Sequence, residues 1–310
     1  MKSVVVTGGF GYVGGRIAQK LLTDKYDVRV SSRRNAEQIP EWAKNRIHWG
    51  NDLAALCQDA DCLVHLAAPN ETFAAKNPDR AIRETIDLTQ AALDAARQEG
   101  VRRFIYFSTV HVYGHLSGTI TETTPPQPKH PYAVGHLESE KRVEAAADET
   151  MQTVVFRLSN SFGAPADTGA ERWSLLVNDL CRQAVCEDSL TLSSSGLQWR
   201  DFIPLADVVQ ATAAMFEAQA LTRSFEVLNL SLGKSMTVRQ MAERIQARAR
   251  LLIRPDMPLF VTETDAQPEM PPLVISNQRL LQTGFQLSAK IEPEIDGMLE
   301  FCTSTFAAET

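Results

Sequence analysis

The stretch "VVVTGGFGYVGGRIA", residues 4–18, limits what this chain can fold into more than any other part of it. A short unbroken apolar run is a buried strand, and after it Val13, Ile17 and Leu21 recur at steps of four, the spacing of one helical face. Gly8, Gly11 and Gly14 fall between the two. Glycine lets the backbone turn tightly, lets a pyrophosphate approach main-chain N–H groups, and lets helix and strand pack closely. The helix N-terminus then faces the phosphates with its partial positive charge. Any tight strand-to-helix turn can use glycine, so it is the order strand, loop, helix that points to a bound dinucleotide.

The first half of the chain repeats this unit. "DVRVSS", "CLVHLAA", "FIYFST" and "TVVFRLS" read as strands, and "PDRAIRETIDLTQAALDAARQEG" as a helix capped by Gly100. Strands alternating with amphipathic helices predict an α/β fold with a Rossmann-type doubly wound parallel sheet. Further on the pattern loosens. "GAPADTGAERWS" reads as a loop, "DFIPLADVVQATAAMFEAQ" as a strand and helix, and "SFEVLNLS" as one more strand. The proline-rich "RPDMPLFVTETDAQPEMPPLV" reads as an irregular, extended segment.

A length of 310 residues, with 44% hydrophobic and 22% charged, suits a dinucleotide-binding domain with a smaller companion. A net charge of -7 excludes an electrostatic footprint for nucleic acid or an anionic membrane, so an anionic ligand must be held by a few local groups. No window approaches the roughly eighteen apolar residues of a membrane span, and the first apolar run is too short for a signal peptide, so a cytosolic location is expected. The five cysteines form no CxxC pair and no metal-ligand spacing with histidine, and are read as reduced and mostly buried, with no metal.

The end of the second strand bears on the cofactor. NAD-selective sites place an acid there for the ribose 2′-hydroxyl, and an arginine accommodates the 2′-phosphate of NADP. Here the chain reads "VRVSSRRN", with Ser32 in the acid's place and Arg33 and Arg34 after it. That favours NADP(H) and leaves NAD(H) possible.

Taken together, "TGGFGYVG", "DCLVHLAA", "RRFIYFSTVHVYG", "HPYAVGH", "FRLSNSFGAP" and "RDFIPLADVV" resemble, in order and spacing, the extended short-chain dehydrogenase/reductase family, in its nucleotide-sugar epimerase, dehydratase and reductase branch. The likeness covers about residues 1–235. It implies a Rossmann domain over 1–157, rejoined by about 201–230, and a smaller substrate-binding domain from 158–200 and 231–310. It also implies a cytoplasmic homodimer acting on a nucleotide-linked sugar. Cofactor contacts are implied for Gly8, Phe10, Gly11, Tyr12, Val13 and Gly14, for Ser32 and Arg33, for Asp52 and Leu53 near the adenine, and for Leu66, Ala67 and Ala68. Thr109 takes the place of the catalytic serine or threonine, with Ser108 beside it, and Tyr132 that of the catalytic tyrosine. Asn160 and Arg200 match positions that hold the diphosphate of the sugar nucleotide.

Hydride transfer at a carbinol carbon needs an acid/base on the oxygen. A tyrosine with a reference pKa of about 10 needs about 4 kcal/mol of preferential stabilisation of its anion to serve near neutral pH. In the resembled enzymes a lysine one helical turn on supplies part of this and binds the nicotinamide ribose. Here that place is held by His136, which shares a helical face with Tyr132 and can border both catalysis and cofactor. An imidazole with an ordinary pKa of about 6.5 is largely uncharged at cytosolic pH. Lys141 falls on the opposite side of the helix, and Thr85 stands where the family has an asparagine. Two readings stay open: a keto-sugar reductase or epimerase working through Tyr132, Thr109 and His136, or a nucleotide-binding protein with little turnover, a redox sensor or assembly subunit.

Overall fold

The computed structural model describes residues 2–170, 172–217, 223–262 and 271–306. Strand β1 (Ser3–Thr7) leads into α1 (Tyr12–Thr23); β2 (Asp27–Ser31), β3 (His48–Gly50) and α2 (Leu53–Cys57) precede β4 (Cys62–His65). Helices α3 (Glu71–Lys76) and α4 (Pro78–Gln98) lead to β5 (Arg103–Thr109), and β6 (Gly118–Ile120) and α5 (Pro131–Ala145) lead to β7 (Gln152–Leu158). Then come β8 (Asn160–Phe162), α6 (Leu176–Cys186), β9 (Leu190–Leu192), β10 (Trp199–Pro204), α7 (Leu205–Glu217) and β11 (Phe225–Leu230). The chain ends with β12 (Ser235–Thr237), α8 (Val238–Leu252), β13 (Leu259–Val261), β14 (Leu273–Ile275), α9 (Gln278–Gln282) and α10 (Ile291–Phe306).

Seven strands form one parallel sheet in the order β11-β7-β5-β4-β1-β2-β3. The α/β doubly wound sheet expected from the sequence is thus the fold observed. The middles of its central strands are mostly apolar because helices cover both faces. Val5, Leu63, Phe104, Tyr106 and Val155 face one way, towards Ala92, Leu93 and Ala96 of α4 and Val143 of α5. Val4, Val6, Val64, Ile105, Phe107 and Phe156 face the other, towards Ile17 and Leu21 of α1 and Val208 of α7. Fully burying one such aliphatic side chain contributes about 2 kcal/mol. A separate core joins α6, α8 and α10 through Leu180, Cys181, Ala184, Met241, Ile245, Met298 and Leu299.

The winding starts at β1, runs out through β2 to β3, and restarts on the other side of β1 at β4. In open α/β sheets, ligands bind beyond the carboxyl ends of the strands at such a reversal. Those ends are Thr7 and His65, which stand opposite each other in register.

Some sequence expectations changed in detail. Gly100 takes φ 69° just past α4, as a helix-ending glycine does. The proline-rich segment is not wholly irregular: β13 and β14 form within it, pairing in parallel with β9 and β6. Pro258, Pro271 and Pro272 flank these strands and leave their N–H groups intact. Residues 263–270 of that segment lie outside the described residues, as do 218–219 at the end of the expected helix. All five cysteines are free, with Cys186 exposed and the other four buried. No helix among the described residues is long and apolar enough to cross a membrane.

Asp201 on β10 ties the end of β7 to the turn after β11. Its carboxylate accepts from Ser159 Oγ at 2.6 Å, from Leu232 N–H at 2.9 Å and from Gly233 N–H at 3.0 Å. Burial nevertheless pushes its carboxyl from 3.8 up to about 6, against those hydrogen bonds. The folded state therefore holds this proton more tightly than the unfolded chain, and stability from this group falls as pH rises from about 4 to 6. In urea unfolding across that window, an Asp201→Asn chain is expected to gain on the wild type by up to about 3 kcal/mol as pH rises. A difference that stays constant with pH would refute the assignment.

Candidate active site

The glycine loop is packed so closely that only hydrogen fits inside it. Gly8 takes φ 67°, and a Cβ on Gly14 would lie 2.3 Å from the Gly8 carbonyl oxygen. Gly9, which the sequence reading passed over, is equally constrained, since its Cβ would lie 2.8 Å from the Val30 side chain. Gly11 caps α1 with no side-chain hydrogen bond, so the first turn keeps its N–H groups for a ligand. Thr7 Oγ1 accepts from Leu66 N–H at 3.1 Å and Ala67 N–H at 3.2 Å, which holds the turn after β4 against the loop. Ala68, half-buried, continues that turn. These residues fit a dinucleotide: a cradle without side chains at a helix N-terminus is what a pyrophosphate needs.

The side chains expected to line this cradle divide. Phe10 is buried, with its ring 6.1 Å from that of Trp42, and the Tyr12 hydroxyl lies 2.9 Å from the Gly163 carbonyl and 3.1 Å from Asn178 Oδ1. Both side chains are thus used in packing, and Val13 is half-buried against the same core. Asp52 caps α2 by accepting from Ala55 N–H at 3.1 Å, and Leu53 follows half-buried. Ser32 Oγ accepts from Arg34 N–H at 3.1 Å, while Arg33 is exposed.

Pro131 and His130 set Tyr132 at the start of α5. Proline pre-organises the first helical position, and His130 Nδ1 accepts from Tyr132 N–H at 3.2 Å. The half-buried phenol is held above its ordinary pKa by burial and then by the charge of Glu71, with Arg172 opposing. Glu71 opens α3 and pairs with Arg172 at 3.0 Å. Thr109 closes β5, buried, and its Oγ1 accepts from His111 N–H at 3.2 Å at the head of the short 3-10 turn Val110–Tyr113. The His111 imidazole is held low by burial and then by the Arg200 charge, while Glu71 raises it. Glu71 and Arg172 thus make up the charged surroundings of Tyr132, and as single charged residues outside any motif they give no signal in the sequence, whereas His111 stands within the "FSTVHVYG" run.

Ser108 and Asn160 are committed elsewhere. Adjacent strand residues face opposite ways, so Ser108 points away from the Thr109 side. Its hydroxyl donates to Glu140 at 2.5 Å, within a buried ion pair of Glu140 with Arg157 at 2.7 Å. Asn160 Nδ2 donates to the Asp201 carbonyl at 2.9 Å and shapes the backbone beside Arg200, whose guanidinium donates to the Trp199 carbonyl at 3.0 Å. Thr85 is buried under α5, its hydroxyl donating to the Ala81 carbonyl at 2.8 Å. Lys141 is exposed and pairs with Glu138 at 2.6 Å.

His136 is buried against Tyr132, ring to ring at 4.5 Å and edge to face. Its Nδ1 lies 2.7 Å from the hydroxyl of Tyr106, a strand residue the sequence reading took only as part of an apolar run. Its Nε2 is sealed from solvent with no hydrogen-bond partner among the described residues. Burial, opposed by Glu71, brings its pKa down to about 4. The imidazole is therefore neutral across the physiological range, more firmly than its ordinary pKa implies. His65 is likewise buried and held down to about 3, between Thr7 Oγ1 at 2.8 Å and Thr89 Oγ1 at 3.3 Å.

Comparison with known proteins bears on the family and the fold. The model of the NAD dependent epimerase/dehydratase family matches residues 4–231, from β1 past the end of β11. The chain belongs to that family. Within it, the chain is 27% identical over 236 residues to an uncharacterized UDP-glucose epimerase of Bacillus subtilis (strain 168), covering 68% of this chain and 72% of the relative. It is 27% identical over 266 residues to the mouse (Mus musculus) dTDP-D-glucose 4,6-dehydratase, covering 79% and 72%. Among solved structures, the UDP-N-acetylglucosamine 4-epimerase from Methanobrevibacter ruminantium M1, in complex with UDP-N-acetylmuramic acid, superposes with a TM-score of 0.82 at 22% identity, over 98% of this chain and 99% of that one. The UDP-glucuronic acid 4-epimerase from Bacillus cereus, in complex with UDP-glucuronic acid and NAD, gives 0.81 at 22%, over 98% and 100%. These two likenesses concern the fold. Family membership makes the cofactor class of the glycine cradle a nicotinamide dinucleotide.

The two depressed imidazoles carry a pH signature. Each binds its proton less tightly in the folded state than in the unfolded chain, so their contribution is complete above about 6.5 and is lost as pH falls towards 4 and then 3. In unfolding titrations, His136→Gln is expected to reduce the loss of stability between pH 6.5 and 4. An unchanged slope would show that His136 titrates normally.

Proposed function

We propose that this chain is an oxidoreductase or epimerase that transfers hydride at a ring carbon of a nucleotide-linked sugar, with Tyr132 exchanging the proton of the sugar oxygen. The observation that carries this reading is the shared surroundings of Tyr132 and His111: the Glu71 charge acts on both, Arg200 acts on His111, and Thr109 accepts from His111 N–H. The names of the relatives, a UDP-glucose epimerase and a dTDP-D-glucose 4,6-dehydratase, support a nucleoside diphosphate sugar as substrate. Ser32, Arg33 and Arg34 suit NADP(H), whereas the solved epimerase complex named above carries NAD(H).

A bound nicotinamide dinucleotide supplies the carbon that accepts and returns hydride. The protein's share is proton handling and orientation. Tyr132 starts as a neutral phenol, because burial and Glu71 both disfavour its anion, and so stands ready to give a proton to an oxygen whose carbon receives hydride. Arg172, paired with Glu71, is the cation that acts on that phenol in place of the usual lysine. Thr109 accepts from His111 N–H through one lone pair and keeps its hydroxyl hydrogen to offer to the same sugar oxygen. His136, held by Tyr106, packs its neutral ring against that of Tyr132 and so positions the phenol. Arg200 supplies charge for the diphosphate.

Keto-sugar reduction and epimerisation share these steps and differ in whether the dinucleotide is consumed. The purified protein should therefore be offered a panel of UDP- and dTDP-sugars, with products identified by NMR and dinucleotide absorbance followed in parallel. Tyr132→Phe is expected to lower turnover by about 10²–10⁴-fold while leaving dinucleotide affinity nearly unchanged. Neutral His136 and the committed Thr85 hydroxyl favour a second reading, a dinucleotide-binding protein with little turnover. Binding without turnover on the whole panel would select it.

A further inference from the structure

Of the two arginines that the sequence offers to a 2′-phosphate, Arg33 is exposed and Arg34 is already engaged. The Arg34 guanidinium donates through one terminal nitrogen to the Phe10 carbonyl at 3.1 Å and the Gly169 carbonyl at 3.3 Å. Through the other it donates to the Gln38 carbonyl at 3.2 Å and the Asp167 carboxylate at 3.4 Å. Four of the five N–H bonds of a guanidinium are thereby used. Its charge is met by Asp167, which also accepts from Gly169 N–H at 3.2 Å.

Asp167 belongs to the loop after β8, yet it meets Arg34, three residues past the end of β2, the region where NAD-selective sites carry their acid. We infer that Asp167 sets the choice between NAD(H) and NADP(H), supplying in space the carboxylate that Ser32 does not supply in sequence and so favouring NAD(H). The carboxylate is held in place, because its loop is fastened to α1: Arg16 donates to the Ala164 carbonyl at 2.6 Å, and Tyr12 reaches the Gly163 carbonyl. A 2′-phosphate arriving there meets a fixed negative charge and an arginine with little donor capacity left. A 2′-hydroxyl meets an acceptor.

This rests on reading the cradle as a nicotinamide dinucleotide site, and the test separates the two. Dissociation constants for NAD+ and NADP+ are measured by calorimetry on the full chain, for wild type, Asp167→Asn, Asp167→Ser, Asp167→Glu and the double variant Asp167→Asn with Arg34→Ala. The wild type is expected to bind NAD+ more tightly. Asp167→Asn and Asp167→Ser should each shift the ratio towards NADP+ by about tenfold or more, Asp167→Glu should keep the wild-type ratio, and adding Arg34→Ala should cancel the gain. If both dinucleotides bind and neither neutral variant moves the ratio by more than about twofold at unchanged melting temperature, the inference is overturned and the site reading stands. If the wild type binds neither, both fall.

Discussion

The hydroxyl of Thr7 joins the two strand ends on either side of the sheet's reversal. It accepts the N–H groups of Leu66 and Ala67 and lies against His65, so the end of β1 and the turn after β4 cannot separate. The glycine loop starts one residue later and presses on that same turn, with the Gly8 α-carbon too close to Ala67 for a larger residue to sit comfortably. The cradle, the reversal point and the buried His65 therefore form one packed unit. The helix that carries Tyr132 lies across the adjacent strands, and its position is inherited from theirs.

Much of the framework was legible in the sequence because it rests on local chemistry. Apolar runs of strand length, the four-residue spacing of Val13, Ile17 and Leu21, and glycines where no side chain fits are properties of neighbouring residues. Tyr132 was legible for the same reason, since a proline at the first turn announces a helix start. What could not be read is pairing across the chain. Arg172 meets Glu71 across about a hundred residues, and Asp167 meets Arg34 across a still longer interval. Neither partner is unusual where it stands. Ser108 shows the converse: a serine in a suggestive place whose hydroxyl is claimed by Glu140 from a different helix. A hydroxyl within a run of buried strand residues, as at Tyr106, is the one trace that sequence reading could have used.

The electrostatics around Tyr132 follow from burial before charge. Burial is the largest influence on the phenol, on His136 and on His111, and in each case it favours the neutral form. The fixed charges are the Glu71 and Arg172 pair and Arg200, and they act from the rim of this uncharged centre. The acidity of the phenol is thus tied to a contact between two chain segments about a hundred residues apart, Glu71 on α3 and Arg172 before α6.

The contact between Tyr106 and His136 also bears on how such a site changes over generations. A pocket that strips the proton from an imidazole until pH falls to about 4 would bear just as hard on an ammonium group. Restoring a lysine at position 136 while Tyr106 and the surrounding packing stay as they are would bury a cation where the protein now keeps none. The two positions are coupled, so a lysine at 136 calls for a compensating change at 106.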